Sequence, residues 1–276
     1  MNTRVVMLGT GTPNPDPERM GPALAIVTDG EAYLVDIGPG VVRRAALAFE
    51  RGISELAVEK LETAFVTHMH SDHTVGYADL IFTPWVCGRE KPLQVYGPKG
   101  LSRMTEHLLA AYCMDKKQRI CGLEPINAQG YGAIAHEITA GEIYRDDRLR
   151  VEAFPAEHGE WDAFGFRFEA ADRTIVVSGD TAPSDKMIDA YKGCDVLVHE
   201  VYSAQGFCQR PLQWQRYHAA MHTSTHDLAR IASQIQPRLL VLTHQLFMGV
   251  SESALLEEIR SRYQGAVVSA HDLDVY

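Results

Sequence analysis

The sequence predicts a mixed α/β protein, and three observations carry that prediction. Short apolar runs alternate along the whole chain with stretches whose apolar residues recur at helical spacing. Chemistry-bearing residues collect where the apolar runs end, most densely at His68-Met69-His70-Ser71-Asp72-His73. The composition, 46% hydrophobic and 22% charged over 276 residues, is that of an ordinary globular protein long enough to bury a large core.

The elements follow in order. Residues 5–8 form a short apolar strand, broken by Gly9-Thr10-Gly11-Thr12-Pro13. That turn lacks both the Gly-x-Gly-x-x-Gly spacing and a Walker lysine, so a tight turn beside a cleft is expected rather than a phosphate cradle. Residues 14–20 are a Pro-rich loop. Strands at 23–27 and 33–36 are joined by Asp29-Gly30, a hairpin signal. Helical spacing covers 41–51, with Gly52 as its C-cap. A buried strand at 63–67 leads into the histidine run, and a helix over 77–86 follows it. Next come a strand and turn at 93–98 and an amphipathic helix at 101–112. Residues 115–132 show no period and read as loop or a small insertion.

In the second half, strands are expected at 149–154, 164–169 and 174–177, a helix at 184–191 and a strand at 195–200. Residues 201–221 read as irregular, rich in Gln, Arg and aromatics, and so as a lid or a dimer contact. Ser224-x-x-Asp227 fits a capping box that opens a helix. An apolar strand at 239–244, a helix at 254–259 and a closing strand at 266–268 complete the chain.

Imidazole and carboxylate together suit zinc, iron or manganese. His68 and His70 point the same way from extended backbone, whereas Asp72 and His73 lie past the bend, which suggests two adjacent metals. A His-rich surface loop or helix cap is the alternative reading. His68-x-His70-x-Asp72-His73 resembles the signature of the metallo-β-lactamase superfamily, and other positions match the pattern: His158 at a strand end, Asp180 after another, and His244 at the end of the apolar strand 239–244.

The resemblance implies a single domain over 1–276 with the four-layer αββα sandwich, and a dinuclear centre of two zinc ions, with manganese or iron as alternatives. One metal would take His68, His70 and His158. The other would take Asp72, His73 and His244. Asp180 would bridge them together with the attacking water or hydroxide, which Asp72 also serves. Asp36, matching the family's Asp-x-Gly, would orient a ligand imidazole or else simply form a turn. The pair His199-Glu200 and His222-Thr223-Ser224 resembles the ribonuclease Z branch, in which the Glu orients a His that protonates the leaving oxygen. That gives His222 and Glu200 catalytic roles, against a purely structural His–Glu contact.

Two departures favour a small substrate. No long basic arm lies between Gly97 and His158, and Gly159-Glu160-Trp161-Asp162-Ala163 replaces the branch's Pro-x-Lys-x-Arg loop. The expected activity is therefore hydrolysis of a small phosphodiester or an aryl sulfate ester. Ribonuclease Z-type processing of transfer RNA, a lactonase or β-lactamase, and a non-catalytic binding module are the alternatives. Trp161, Phe164 and Trp214 are candidates to line a pocket. A net charge of −10 disfavours general polynucleotide binding. Five cysteines without a Cys-x-x-Cys, no long apolar run and no apolar N-terminal core point to a reduced, cytoplasmic protein without a membrane span, plausible as a homodimer.

Overall fold

Two β-sheets take up the apolar runs of the sequence. The computed structural model describes residues 3–276, and the chain divides into two compact units. The first holds Pro15–Ile138 with the opening strand and Asp272–Tyr276. The second holds Thr139–His271 with Thr10–Asn14.

The first unit carries β1 (Arg4–Gly9), β2 (Ala23–Thr28), β3 (Glu31–Val35), β4 (Thr63–Phe65), β5 (Leu93–Gly97) and β6 (Ala133–Glu137), in that spatial order. The pairs β1–β2 and β2–β3 are antiparallel, and β3 through β6 pair in parallel. Asp29 (φ 46°) and Gly30 (φ 85°) make the hairpin turn that the dipeptide predicts. Parallel neighbours need crossovers, and helices supply them: α1 (Val41–Glu50), α2 (Ser71–Thr74) with α3 (Tyr77–Val86), and α4 (Leu101–Ala111) with α5 (Cys113–Cys121). The chain's end returns to β1, where Val5 N–H donates to the Tyr276 carbonyl at 2.9 Å. Arg89 is fully buried and donates to the carbonyls of Leu61, Leu80, Ile81, Lys91, Gly130 and Gly132. One side chain thus ties α3 to the loop before β6.

The second unit carries β7 (Gly141–Arg145), β8 (Leu149–Pro155), β9 (Phe164–Ala170), β10 (Thr174–Val177), α6 (Asp185–Tyr191), β11 (Val196–Tyr202), α7 (Ala204–Phe207), α8 (Leu212–Met221), α9 (Thr225–Ile235), β12 (Leu239–Leu246), α10 (Glu252–Arg260) and β13 (Val267–Ser269). Its sheet runs β13-β12-β11-β10-β9-β8-β7. Strands β7 to β10 form an antiparallel meander, and β10 to β13 pair in parallel. Each sheet is thus antiparallel at one side and parallel at the other. In open parallel sheets the strand ends bear the sites, and here candidate ligands follow β4, β8 and β10, with one more, His244, inside β12 near its end.

Three stretches differ from expectation. Residues 115–132 are not all loop, because α5 covers Cys113–Cys121; none of its residues is buried, so it has no apolar period to read. Residues 201–221 are not irregular, because β11 continues to Tyr202 and α7 and α8 follow. Strands β6 and β7 escaped notice because each is the edge strand of its sheet and no residue of either is fully buried. Among the described residues no helix is long and apolar enough to cross a membrane.

Candidate metal centre

In the first unit the site grows from the loop that follows β4. Thr67, His68 and His73 are buried there, and Asp36, just past β3, is only 5% exposed. Asp36 has φ 61°, a conformation that costs a non-glycine residue energy and concentrates at functional sites. Its carboxylate accepts from the Thr67 backbone N–H at 2.8 Å and from the Thr67 hydroxyl at 2.9 and 3.0 Å. It also accepts from His73 Nδ1 at 2.8 Å. The carboxylate is thus engaged by the histidine loop rather than by its own turn.

These contacts fix tautomers. A carboxylate oxygen accepts, so His73 carries its proton on Nδ1 and keeps a lone pair on Nε2. Thr67 spends its hydroxyl hydrogen on Asp36, so its oxygen accepts from His68 Nδ1 at 3.0 Å. His68 Nε2 is then a lone pair, 2.9 Å from His70 Nδ1. Asp72 approaches His73 Nε2 with an oxygen at 3.5 Å. Ligating histidines characteristically donate their second N–H to a carboxylate, hydroxyl or carbonyl in this way.

In the second unit His158 follows β8 and is 1% exposed. Its Nδ1 donates to the Met221 carbonyl at 2.7 Å, leaving Nε2 as the basic nitrogen. Burial lowers its pKa, so the ring is neutral at pH 7, as a metal ligand must be. Asp180 follows β10, at the Gly179 turn, and is 3% exposed. His244 lies inside β12 rather than at its end. Thr243 pairs with Glu200 and Gln245 with Val201, so His244 is the extra residue of a β-bulge, with φ 44°. Bulges re-aim side chains beside active sites, and this one brings His244 Nε2 to 3.5 Å from an Asp180 oxygen. Asp180, His222 and His244 present ligand-type atoms within 4.8 Å of one another. Nitrogen lone pairs and carboxylate oxygens of this kind fit a divalent transition metal.

Glu200 and His199 are neighbours on β11 and so point to opposite faces. Glu200 Oε1 accepts from the backbone N–H of Thr181 at 3.2 Å and of Thr223 at 2.9 Å. The Thr223 hydroxyl donates to the Thr181 carbonyl at 2.7 Å. One buried carboxylate therefore latches the loop bearing Asp180 to the loop bearing His222. His222 Nδ1 stands 3.4 Å from the same oxygen, an ion-pair distance rather than a tight hydrogen bond. Glu200 Oε2 is buried without a hydrogen-bond partner among the described residues. His199 turns away, packs edge-on against Tyr191 with ring centroids 5.7 Å apart, and is held neutral by burial.

Of the aromatics expected to line a pocket, Phe164 is buried, whereas Trp161 and Trp214 are each 43% exposed. His218 matches no metal-ligand motif in the sequence. In the structure it is buried, its Nδ1 has no hydrogen-bond partner among the described residues, and its ring lies 5.6 Å from that of His222. Its spacing of four from both Trp214 and His222 is the signal that was there to read.

Residues 31–245 match the profile of the beta-lactamase superfamily domain. The ribonuclease Z of Mycobacterium bovis (strain BCG / Pasteur 1173P2) is 32% identical over 244 residues, covering 87% of this chain and 85% of that one. Among solved structures, the metallo-beta-lactamase fold protein YhfI from Bacillus subtilis superposes with a TM-score of 0.76 at 19% identity, covering 99% and 98% of the two chains. Human tRNase Z, short form, gives 0.71 at 23% identity, with 99% and 98% covered. The two-sheet α/β fold, the profile match across most of the chain and the ribonuclease Z relative agree: this chain belongs to the metallo-β-lactamase superfamily of hydrolases, in the branch that contains ribonuclease Z.

Proposed function

We propose that this chain is a metal-dependent phosphodiesterase that cuts RNA near a 3′ end, the ribonuclease Z-type activity; its relatives carry the names ribonuclease Z and tRNase Z. The observation that carries the reading is the Glu200 latch, which sets His222 beside Asp180 in a member of the ribonuclease Z branch. Two divalent ions would be held, one by His68, His70 and His158, the second by Asp72, His73 and His244, with Asp180 common to both. When bound, the ions would acidify a water and stabilise charge on the phosphate oxygens.

The protein's own residues do the rest. Asp36 keeps His73, and through Thr67 His68, in the tautomer that leaves Nε2 basic. Met221 does the same for His158. Asp72 would orient the attacking water. His222 keeps its Nδ1 toward Glu200 Oε1, which leaves Nε2 to give a proton to the departing oxygen. An alkoxide is an expensive leaving group, so a general acid matters there.

The expectation from net charge set nucleic acid aside. That argument averages over the surface, and phosphate binding is a local matter. A second reading, hydrolysis of a small phosphodiester, keeps one observation in its favour: between β5 and β6 the chain offers only α4, α5 and their loops where an RNA-gripping arm would stand.

The test is a side-by-side hydrolysis panel on zinc- or manganese-loaded protein, with Asp180→Ala as the blank. Precursor transfer RNA, bis(p-nitrophenyl) phosphate, p-nitrophenyl sulfate and an acyl lactone are compared. Site-specific 3′ cleavage of the RNA is expected. Turnover of the small phosphodiester with intact RNA would move the assignment to the second reading, and turnover of the lactone alone would overturn both.

A further inference from the structure

The chain carries 36 Asp and Glu among 276 residues, yet none falls between Glu200 and Asp227. That stretch contains Arg210, Arg216, four glutamines, Trp214 and Tyr217. It folds as α7 and α8, and α8 exposes large apolar and aromatic side chains: Leu212 is 71%, Trp214 43% and Tyr217 40% exposed. Arg210 and Arg216 are exposed and make no ion pair among the described residues. In a chain of net charge −10 this is a local surface of the opposite character.

The face is tied to the site by ring stacking. Trp214 stacks on His218 at 5.8 Å and 27°, His218 lies 5.6 Å from His222, and His222 stacks on His244 at 5.8 Å and 18°. Tyr217 stands edge-on to Trp214 at 5.7 Å and lies 6.2 Å from His222. The spacing of four residues from Trp214 to His218 to His222 sets the ladder along one side of α8 and its C-cap. Packing against His218 and Tyr217 fixes the Trp214 ring, while nearly half of its surface stays open. A fixed, half-open indole on an element that also exposes unpaired guanidinium groups, Arg210 just before α8 and Arg216 on it, is what a single-stranded nucleic acid uses, stacking a base on the ring and placing phosphates on the cations.

We propose that the Trp214–Tyr217 face of α8 is a base-stacking platform for single-stranded RNA adjoining the scissile phosphate, with Arg210 and Arg216 as its phosphate contacts. The proposal deepens the RNA reading above and rests on it for the word scissile. Binding by the platform can be measured without cleavage. The ligand must be single-stranded, because a base paired in a duplex has no free face for the indole. A polyanion complements Arg210 and Arg216, whereas a symmetric pairing of this face with a second copy of the chain would set these like charges against themselves.

The experiment uses Asp180→Ala protein, which binds without cutting, and a short single-stranded oligoribonucleotide carrying 2-aminopurine. Its fluorescence is titrated with Asp180→Ala alone and in combination with Trp214→Ala, Trp214→Phe or Arg210→Gln/Arg216→Gln. Sedimentation reports the oligomeric state of each. Stacking on an aromatic ring supports a loss of affinity on the order of tenfold for Trp214→Ala, with Trp214→Phe restoring most of it. The double arginine variant is expected to flatten the dependence of affinity on salt concentration. Trp214-dependent binding supports the platform even if the protein cleaves no RNA in the panel, in which case the RNA-processing reading fails alone. Equal affinity with and without Trp214, no binding by the Asp180→Ala protein, or a change of oligomeric state on Trp214→Ala without a change in affinity would each overturn the platform.

Discussion

Asp36 shows how much of the candidate centre depends on one residue that is itself no ligand. Its carboxylate holds His73 directly and His68 through Thr67, and it does so from a left-handed backbone conformation. Asp36→Asn separates charge from backbone, because Asn tolerates positive φ nearly as well as Asp. The amide can no longer offer two acceptor oxygens, so one of the two histidines loses its anchor. We expect zinc affinity to fall by about 10- to 100-fold, read by competition with a chromophoric chelator; unchanged affinity would mean that Asp36 only shapes the turn. His222 calls for a different readout. His222→Ala should slow phosphodiesters with poor leaving groups far more than activated nitrophenyl esters, since only the former need a proton at the departing oxygen. An equal loss on both would assign His222 to structure. The histidine run could be read directly, because its donors fall within six residues of sequence. The tautomer relay could not, because Asp36 and Thr67 are separated by 31 positions and meet only in the fold.

At the scale of elements, α4 has an N-terminus that its own sequence does not cap. Gly100 occupies the N-cap position and has no side chain to offer. The cap comes from the end of β6, where Glu137 Oε1 accepts from the N–H groups of Gly100 at 2.9 Å and Ser102 at 3.2 Å. The Gly100 and Ser102 N–H groups hold the Glu137 carboxyl below the ordinary carboxylate range. A depressed pKa contributes stability that is complete above the unfolded value of about 4.3 and is lost as pH falls through the folded value. Glu137→Gln removes the charge and keeps the shape. Its urea midpoint should lie below that of the wild type at neutral pH, and the two should converge in acid as Glu137 protonates. A gap independent of pH would show that charge is not what caps α4.

The same element explains what the sequence withheld. The helix α9 announces itself through Ser224 and Asp227, three residues apart, where Ser224 Oγ accepts from the Asp227 N–H at 3.0 Å. The cap of α4 lies 35 and 37 residues from the groups it satisfies, so no local pattern reveals it. For the same reason, the apolar strands β2, β3, β11 and β12 were legible, because burial on both faces leaves continuous apolar runs. Edge strands β6 and β7 and the polar helix α5 carry no such run. The bulge that re-aims His244 depends on pairing with β11, a relation between strands that neither strand's sequence contains.

For the whole molecule, the decisive question is whether the donors of the two units serve the same ions. His68, His70, Asp72 and His73 belong to the first unit, and His158, Asp180 and His244 to the second. If 1–276 acts as one domain with a shared centre, metal binding favours the native state of both units together, by about 4 kcal/mol at a metal concentration roughly a thousandfold above the dissociation constant. Chelation should then lower the melting temperature of the entire chain in a single transition. Removing a donor from either unit should have the same consequence. His70→Ala in the first and His244→Asn in the second, the latter chosen because Asn accepts the bulge's positive φ, should each abolish most of the zinc-dependent rise in melting temperature. If each unit instead held its own ion, His70→Ala would leave the zinc response of the second unit intact, and calorimetry would resolve two transitions of which only one had lost its metal dependence. The outcome matters for catalysis as well as stability. A shared centre makes Asp180 indispensable to both ions, so Asp180→Ala should lower zinc stoichiometry and melting response together. Independent sites would confine its effect to the unit that carries it.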